Sequence, residues 1–346
     1  MKIGMFTDTF EQPNGVARHV KEISEVMSKE NEVVVYTGSG SSDRFKVVNL
    51  PHYTFPLQTE YEYLSTWQCK VDDIDVAHAH SPYCTGKLAL RQTVPIVSTT
   101  HTIPQHMLDY LHLNALSPLA WKYLVRFHNN TDFVVCQTKS TQELFKKHGL
   151  KVPSRVISTG IDMKKFGGGN AKEFINKYNI DYDFVFSATR LSHEKRCNWI
   201  FKACAELDIP CVACSTGPME GMYRKKYKNV KFLGRIPYND IYNGYKAASV
   251  FAIASKVETE GIVVNEAMAS KTPLIATDLP CISDSIKDNV NGFTFKNYSE
   301  FKEKLEKLWG DKQLQKKFAS NAYKDVKKKD YSIVSKELLS VYESLV

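Results

Sequence analysis

Residues 250–270 read VFAIASKVETEGIVVNEAMAS, and three successive patterns in this stretch decide the fold. Residues 250–254 form a short apolar run typical of a buried strand, and residues 262–270 have the length and spacing of a helix. An acidic loop joins the two, and Gly261 stands where the helix begins. The stretch therefore predicts one strand–loop–helix unit of a parallel α/β sheet.

The same alternation of short apolar runs and helical patterns continues along the whole chain. Before Gly160 it predicts strands at 2–6, 33–36, 45–48, 75–79, 96–99, 133–136 and 156–157. After Gly160 the pattern begins again, with strands at 184–188, 211–214, 230–233, 250–254, 274–276 and 292–295. The predicted helices include 18–28, 141–147, 172–178, 198–207, 238–247 and 262–270. Two such runs predict an α/β protein with two Rossmann-like domains.

The length of 346 residues also suits two domains of ordinary size. We expect an N-terminal domain at residues 1–162 and a C-terminal domain at 163–331. The boundary is expected at 164–170, because three consecutive glycines there cannot hold a stiff element. Ligands of open α/β sheets bind beyond the carboxyl ends of the strands, so two facing domains would form a cleft between them.

Composition and charge exclude several classes of protein. Hydrophobic residues make up 43% and charged residues 24%, which excludes a disordered or low-complexity chain. Residues 161–346 carry 30 basic against 23 acidic residues, whereas residues 1–160 carry 16 against 15. A basic half suits a polyanion, an anionic membrane surface or a phosphate-bearing substrate, although a solvated lysine-rich surface is the simpler explanation. Nucleic acid is not among the expected partners.

The chain has no pattern of an exported or membrane-spanning protein. An acidic residue, Asp8, follows the N-terminus before any apolar signal region could form, and no stretch approaches about 18 apolar residues. The eight cysteines lack a disulfide framework spacing, which suits a reducing compartment. We therefore expect a cytoplasmic protein, with peripheral membrane contact left open.

Two carboxylates flank the helix start in the first stretch. Glu258 and Glu266 are eight positions apart, which corresponds to a separation on the order of 10 Å for the helical rise. Between them, the first amide groups of the helix at Gly261, Ile262 and Val263 have no intrahelical partner and attract anions. One carboxylate could hold sugar hydroxyls and the other ribose hydroxyls, with a diphosphate between them. Simple complementation of the helix N-terminus remains the alternative.

Cations follow the first strand of the second half, in the stretch ATRLSHEKR at 188–196. Arg190 and Lys195 lie in a loop after a strand, where two fixed cations could clamp a diphosphate. In the first half, Asn14 and Gly15 form a sharp turn before a helix, and Gly15 lets the backbone approach a ligand. This turn lacks the G-x-G-x-x-G pattern, which argues against hydride chemistry on a dinucleotide.

Histidines close two of the predicted strands. His101 directly follows the strand at 96–99 and is a candidate catalytic residue, although a single histidine is often structural. His78 and His80 are two positions apart at the end of another strand and point the same way. A metal site there would need a third ligand, which the sequence does not identify, so no metal site is predicted.

Together these motifs resemble those of a known family. They occur in matching order as the E-x7-E stretch followed by AMASKTP, the Arg190-Leu-x-x-Glu-Lys195 loop, TGID at 159–162 with Phe166, and NGF at 291–293. The combination is similar to the GT-B glycosyltransferases of family GT4, the large retaining group that uses nucleotide sugars. The resemblance spans nearly the whole chain.

The resemblance implies roles for individual residues. Glu258 would hold donor-sugar hydroxyls, Glu266 the ribose, and Arg190 with Lys195 the diphosphate, while the loop at Leu233 would pass the nucleobase. It further implies that Gly15 borders the phosphates and that His101 lies beside the transferred sugar. Such enzymes use no bound metal or other cofactor, and a UDP-sugar is the expected donor. The last helix, at 332–346, is expected to return to the first domain.

Some positions depart from the family pattern. Lys271 stands where glycine is common, and Glu260 stands where an aromatic residue or glutamine is common. Glu260 would add a third acid near the donor phosphates, which leaves the donor preference open. The loop at 277–282 also lacks the usual glycine-rich form.

The acceptor is the less determined partner. The THT stretch at 100–102, the residues after it up to Tyr110, and the ETEG form at 258–261 look most like the subgroup that glucosylates diacylglycerol-type lipids. Residues 116–127 are amphipathic with interleaved cations and could rest at a membrane surface, although a helix packing on its own sheet explains the pattern more simply. The lysine-rich runs at 224–228 and 327–329 could meet anionic lipids.

The sequence thus predicts a retaining hexosyltransferase that acts on a lipid or another glycan acceptor. A nucleotide-sugar 2-epimerase shares the architecture but does not explain the combined acidic and basic signatures. A two-lobed sugar-binding protein would require an export signal that is not found.

Overall fold

The computed structural model describes residues 1–12, 14–55, 58–66, 69–104 and 114–346. They form two compact units. Unit 1 consists of the described residues up to Gly160 together with Tyr331–Val346, and unit 2 is Ile161–Asp330. Each unit is built around its own parallel sheet.

Unit 1 has a seven-stranded parallel sheet with the order β3-β2-β1-β6-β7-β8-β9. Its strands are β1 (Lys2–Phe6), β2 (Glu32–Thr37), β3 (Lys46–Asn49), β6 (Val76–Ala79), β7 (Ile96–Thr99), β8 (Phe133–Cys136) and β9 (Ser154–Val156). Strands β4 (His52–Phe55) and β5 (Gln58–Leu64) form a separate antiparallel hairpin. The sheet is buried on both faces, since Val33 and Val35 join one apolar cluster and Val34 the other.

The helices of unit 1 cover both faces of this sheet. They are α1 (Gly15–Met27), α2 (Cys84–Ala89), α3 (Ser117–His128), α4 (Lys139–Lys147) and, from the C-terminus of the chain, α14 (Tyr331–Glu343). Val20 of α1 and Leu338 of α14 share an apolar cluster with Ile3 of strand β1. The last helix is therefore part of the unit 1 core.

Unit 2 has a six-stranded parallel sheet with the order β12-β11-β10-β13-β14-β15. Its strands are β10 (Val185–Ser187), β11 (Cys211–Ala213), β12 (Val230–Phe232), β13 (Val250–Ile253), β14 (Leu274–Thr277) and β15 (Phe293–Phe295). Its helices are α5 (Met163–Gly167), α6 (Ala171–Tyr178), α7 (Cys197–Glu206), α8 (Glu220–Lys226), α9 (Tyr238–Ala247), α10 (Ile262–Ala269), α11 (Pro280–Ser283), α12 (Tyr298–Gly310) and α13 (Lys312–Val326).

The predicted strands are confirmed in both units, most within one residue at each end. The β4–β5 hairpin was not predicted, because its residues alternate polar and aromatic types without a continuous apolar run. The six helices named from the sequence are also present, with α9 at the predicted residues 238–247.

The chain divides between Gly160 and Ile161, and again between Asp330 and Tyr331. These divisions lie one or two residues from the predicted boundaries at 162/163 and 331/332. Gly160 has a φ of +91°, and a Cβ there would stand 2.6 Å from the Tyr331 ring, so this turn requires glycine.

The expectation that the three glycines at 167–169 mark the boundary is wrong. Gly167 ends α5, and all three residues lie inside unit 2. A Cβ on Gly169 would lie 2.6 Å from the backbone oxygen of Tyr242, so this glycine allows a close approach to helix α9.

None of the described helices is both long and apolar enough to cross a bilayer.

Candidate active site

The order of strands in unit 2 reverses between β10 and β13, which are neighbours in the sheet but not in the chain. At such a reversal the loops after the two strands turn to opposite faces and leave a crevice where ligands bind. The loop after β10 carries Arg190 and Lys195, and the loop after β13 carries Glu258 and Gly261. The topology therefore brings four of the predicted site residues to one edge of the sheet.

An ion pair joins the two loops. Lys195 ends a short 3₁₀ turn, and its Nζ lies 2.6 Å from Oε1 of Glu258. The two side chains are 22% and 11% exposed, so the pair is partly shielded from water yet still open to a ligand. Partial burial lowers the local dielectric constant, so the electrostatic interactions of both groups are stronger than they would be on an open surface. The pair places a fixed cation and a fixed carboxylate at the crevice.

Arg196, which the sequence analysis did not single out, holds the two loops together. Its Nε donates a hydrogen bond of 2.7 Å to the carbonyl of Ala254, and one terminal nitrogen donates to the carbonyl of Ser255 at 3.3 Å. The amide of Lys256 also donates to the carbonyl of Glu194 at 2.8 Å. Burial lowers the pKa of Arg196, whose guanidinium lies 4.2 Å from the Trp199 ring. These contacts fix the backbone that carries Lys195 and Glu258.

Helix α10 begins at the same edge. Gly261 has a φ of +72° and precedes Ile262, the first residue of the helix. This left-handed conformation favours glycine and turns the chain sharply into the helix. The amides of Ile262 and Val263 lie in the first turn, where no preceding turn supplies acceptors, and both residues are half-buried. The helix start thus presents N–H groups and a positive dipole end beside the loops.

Glu266 lies one turn further along α10 and is only 3% exposed. Its Oε2 accepts a hydrogen bond of 2.7 Å from the hydroxyl of Tyr245 on α9. Burial and the adjacent carboxylate raise the pKa of Tyr245, which keeps the phenol protonated as a donor. Tyr245, a residue missed from the sequence, therefore orients the predicted ribose-binding carboxylate.

Glu260 does not stand as an isolated acid near the helix end. It is 4% exposed, accepts a hydrogen bond of 3.0 Å from Asn265, and forms an ion pair of 3.5 Å with Lys329. Lys329 also donates to Asn265 at 3.0 Å and to Ser285 at 2.8 Å. The third acid expected near the donor phosphates is therefore paired with a cation within unit 2.

The same contacts revise the interpretation of the lysine run at 327–329. Lys329 is directed to Glu260 and its side chain is 14% exposed, so it is not available to an anionic lipid. Lys327 lies 5.1 Å from the Tyr323 ring. The sequence could not predict which of these lysines forms an ion pair, because the three are identical in type and adjacent.

Two further predicted residues in unit 2 occupy loop positions. Arg190 is exposed, and its carbonyl accepts a hydrogen bond of 2.9 Å from the amide of Ser192. Leu233 directly follows β12 and donates its amide to the carbonyl of Ala213 at 2.9 Å. Leu233 therefore lies at the far edge of the sheet from the reversal, two strands beyond β10.

Unit 1 has the corresponding reversal between β1 and β6. After β1, Asn14 caps helix α1 by accepting a hydrogen bond of 2.9 Å from the amide of Ala17. Gly15, the predicted phosphate-bordering residue, is exposed and is the first residue of that helix. Pro13 of the same predicted turn lies outside the described residues, as does the segment 105–110 expected to follow His101.

His101 is half-buried and lies beside two buried histidines of unit 1, His19 and His80. Its Nε2 is 3.0 Å from Nδ1 of His80, and its Nδ1 accepts a hydrogen bond of 2.8 Å from the side-chain amide of Gln137. Burial is the main cause that lowers the pKa of both histidines well below the usual range. Both rings are therefore neutral at pH 7, and His101 can accept or donate one hydrogen bond without carrying charge.

The sequence found no third ligand beside His78 and His80, and the structure supplies different neighbours. His19 of α1 lies with its ring 5.3 Å from that of His80 and 5.2 Å from that of His101. His78 instead contacts the Tyr342 hydroxyl through Nδ1, at 2.5 Å, and Thr99 through Nε2, at 2.7 Å. His80 and His101 follow neighbouring strands, so their proximity could have been predicted from the sequence. No pattern in the sequence indicates that His19 lies beside them.

Two family models match consecutive parts of the chain. Residues 13–165 match the model described as Glycosyltransferase Family 4, and residues 170–325 match that described as Glycosyl transferases group 1. The chain is a family 4 glycosyltransferase of the GT-B fold. Both the family and the fold predicted from the sequence are confirmed.

Relatives agree with this assignment. The glycosyltransferase is 28% identical to the alpha-monoglucosyldiacylglycerol synthase of Streptococcus pneumoniae, over 84% of this chain and 74% of that protein. It is 23% identical to the enzyme of the same name from Acholeplasma laidlawii, over 100% and 98%. Anabaena Alr3699/HepE, solved in complex with UDP and glucose, matches in fold over the full length of both chains, with a TM-score of 0.80 and 18% identity.

Proposed function

We propose that this glycosyltransferase moves a hexose from a UDP-sugar to a hydroxyl group of a diacylglycerol-type lipid, with retention of configuration and without a bound metal. The observation that carries the donor half of the proposal is the junction of Lys195, Glu258 and the start of α10 at the strand reversal of unit 2. The relatives named as diacylglycerol glucosyltransferases support the acceptor.

The chemistry follows from the charges at this junction. As the bond between sugar and phosphate breaks, negative charge grows on the leaving diphosphate. Lys195, Arg190 and the amides of Ile262 and Val263 are positive or positively polarised groups suited to stabilise that charge. They can perform the role that a metal ion has in other transferases, so the proposal needs no cofactor.

Carboxylates in the same region suit the uncharged parts of the donor. Glu258 retains acceptor capacity beyond its contact with Lys195, because a carboxylate offers about four lone-pair sites. We assign it to hydroxyls of the transferred sugar, and Glu266, oriented by Tyr245, to the ribose. No nucleophile is assigned on the opposite face of the sugar, so departure and attack are proposed to occur on one face, which retains the configuration.

An exposed face of helix α3 supports a lipid acceptor. Trp121, Leu124 and Phe127 of this helix are buried, as expected for a helix packing on its own sheet. Its outer face nevertheless presents Leu119 and Tyr123, which are 66% and 39% exposed. Lys122 and Arg126 lie on the same face and are exposed. Apolar side chains interleaved with cations are typical of contact with an anionic membrane surface.

Further aromatic residues of unit 1 extend this pattern. Tyr83 is 37% exposed and stacks on Tyr123 with ring centroids 6.1 Å apart. Tyr53 and Tyr63 pair across the β4–β5 hairpin and are both more than half exposed. Aromatic side chains with a polar end are suited to the interface between water and lipid. We therefore propose that unit 1 meets the membrane that holds the acceptor.

The test uses UDP-glucose with vesicles that contain diacylglycerol and an anionic phospholipid. We expect a glucosylated lipid whose anomeric configuration, measured by NMR, matches that of the donor, and we expect EDTA to leave the rate unchanged. Release of UDP at the same rate without any acceptor would contradict transfer. Product formed only with soluble glycans would contradict the lipid acceptor, and an inverted product would contradict retention.

A further inference from the structure

Three histidines of unit 1, two of them buried and one half-buried, form a group that the proposed transfer reaction does not use in full. His19, His80 and His101 each present one ring nitrogen, and these nitrogens all lie within 4.8 Å of one another. They come from helix α1 and from the residues that follow β6 and β7, around the strand reversal of unit 1. Within the described ranges, no other set of three histidine, cysteine or acidic side chains meets the same spacing.

We propose that His19, His80 and His101 bind one divalent transition-metal ion of the zinc class, and that the bound ion inhibits transfer by engaging His101. Imidazole nitrogen is a preferred ligand of zinc, copper and nickel, and three histidines with one open position form a known type of zinc site. The inhibition rests on the proposed role of His101 beside the donor, whereas the binding does not.

The distances fit such an ion after a small adjustment. Zinc–nitrogen bonds of about 2.0–2.1 Å in a tetrahedral arrangement place ligand nitrogens about 3.3 Å apart. Nδ1 of His80 and Nε2 of His101 are already 3.0 Å apart. The upper limit of 4.8 Å for the group exceeds the tetrahedral spacing by about 1.5 Å, which rotation of a ring about its side-chain torsions can supply.

The outer contacts of the rings resemble those of ligating histidines. Nδ1 of His19 donates to the carbonyl of Thr159 at 2.5 Å, so in the neutral ring Nε2 carries the lone pair. The Gln137 amide contacts the far nitrogen of His101 at 2.8 Å. Metal-binding histidines are commonly anchored in this way by a carbonyl or another polar group on the second nitrogen.

His80 differs from His78 in a manner that favours ligation. Both nitrogens of His78 are engaged by Tyr342 and Thr99, so its ring is held on both sides. His80 is 1% exposed and faces His101 through Nδ1, while its Nε2 has no hydrogen-bond partner, so no contact on that nitrogen prevents the ring rotation that ligation through Nδ1 requires. With Gln137 donating to His101, the His101 Nε2–H donates to His80. Binding of the ion breaks this hydrogen bond. The His101 proton moves from Nε2 to Nδ1, and the Gln137 side chain turns so that its amide oxygen accepts a hydrogen bond from Nδ1. No proton is released.

The test titrates the full-length, chelator-treated protein with Co²⁺, which reports tetrahedral nitrogen ligation by its visible absorption. We expect one site per chain, and roughly 100-fold or greater loss of affinity in His19→Gln and in His101→Gln. The matched control is His148→Gln, which changes an exposed histidine of unit 1 that lies outside the group and should bind as the unaltered chain does. Absence of the tetrahedral spectrum, or equal affinity in all three variants, would overturn the proposal.

A second measurement does not depend on the variants folding. Crystals soaked in Zn²⁺ are expected to give an anomalous peak between His19, His80 and His101, and a peak only elsewhere would refute the site. With active protein, Zn²⁺ is expected to inhibit transfer at the concentration that saturates the site. If the chain shows no transfer activity at all, the proposed function fails, while the Co²⁺ spectrum still decides the metal site.

Discussion

Unit 1 and unit 2 have similar strand orders around the reversal of the sheet, yet they place different side chains there. Unit 2 holds formal charges, with Lys195 against Glu258 beside a helix start. Unit 1 instead holds His78, His80 and His101, whose pKa values are lowered by burial, so these three rings are neutral at pH 7. The topology therefore determines where a ligand can bind, while the side chains determine which chemistry is available there.

The largest expected effect removes a charge from unit 2. Glu258→Gln and Lys195→Ala should each lower kcat by about 10³-fold, because each loses a fixed group that acts on the donor. Steady-state rates of lipid glucosylation measure this effect. The double variant should cost far less than the product of the two single losses, since the residues act as a pair.

Controls separate this effect from a general change in charge. Glu306→Gln and Lys316→Ala alter exposed residues of the same unit, outside the lysine-rich runs, and should leave kcat within a factor of about two of the parent. Circular dichroism should show folded protein in all four variants. If Glu258→Gln has a rate close to that of the parent enzyme, Glu258 does not act on the donor.

Acidification should affect unit 1 more than unit 2. Burial lowers the pKa of His78 and of His128 to about 3, whereas the unfolded chain takes up a proton near the ordinary value of about 6.5. Below pH 6.5 the unfolded state therefore binds more protons, and stability falls as the pH falls toward 3. At pH 5 each histidine should lower the free energy of unfolding by about 2 kcal/mol relative to pH 8.

Hydrogen exchange measured for individual peptides can compare the protection of the two units at pH 8 and at pH 5. The rates are first corrected for the pH dependence of intrinsic amide exchange. In the described part of unit 2 the one histidine is His193, which is exposed, so its peptides should change much less than those of β6 and β7. Equal loss of protection in both units would contradict the assignment of neutral buried histidines to unit 1.

The buried ion pair at Glu260 gives a smaller effect. Lys329→Met should destabilise the protein by about 2–3 kcal/mol, because it leaves a buried carboxylate without its cation. The double variant Glu260→Gln with Lys329→Met should recover part of this loss. Urea unfolding measures both, and Lys328→Met, which changes an exposed neighbour, is the control. A loss equal to that of the control would mean that Glu260 needs no compensation.

The smallest expected effect concerns the end of helix α10. Lys271 has a φ of +57°, a left-handed conformation that is favourable for glycine, and its Nζ lies 4.6 Å from the Tyr323 ring. Lys271→Gly should raise the free energy of unfolding by about 0.5 kcal/mol, since relief of the backbone exceeds the lost cation–π contact. Lys271→Ala should instead lower it by a similar amount. The interpretation fails if alanine and glycine behave alike in thermal unfolding.

Much of the fold could be predicted from the sequence because parallel strands buried on both faces appear as continuous apolar runs. The β4–β5 hairpin was missed because the strand prediction rested on continuous apolar runs, whereas its residues alternate polar and aromatic types, a pattern that also indicates strands. The boundary was predicted wrongly at the glycines 167–169. Gly169 is needed there because it allows a close approach to helix α9, a tertiary contact that the sequence does not show.

The candidate site shows the same division. Arg190, Lys195, Glu258 and Gly261 were predicted because each follows a strand or begins a helix in one short stretch. The partners Tyr245 and Lys329 come from helix α9 and from a turn near the end of unit 2, so no local pattern could connect them to Glu266 and Glu260. Sequence thus identified residues that local structure positions, and missed those that tertiary packing supplies.

The central claim is that the charged junction of unit 2 holds the diphosphate of the donor. A crystal structure of the protein with UDP tests it most directly. We expect phosphate oxygens within hydrogen-bond distance of Lys195 Nζ and of the amides of Ile262 and Val263. A diphosphate bound elsewhere, with these groups contacting only solvent, would contradict it.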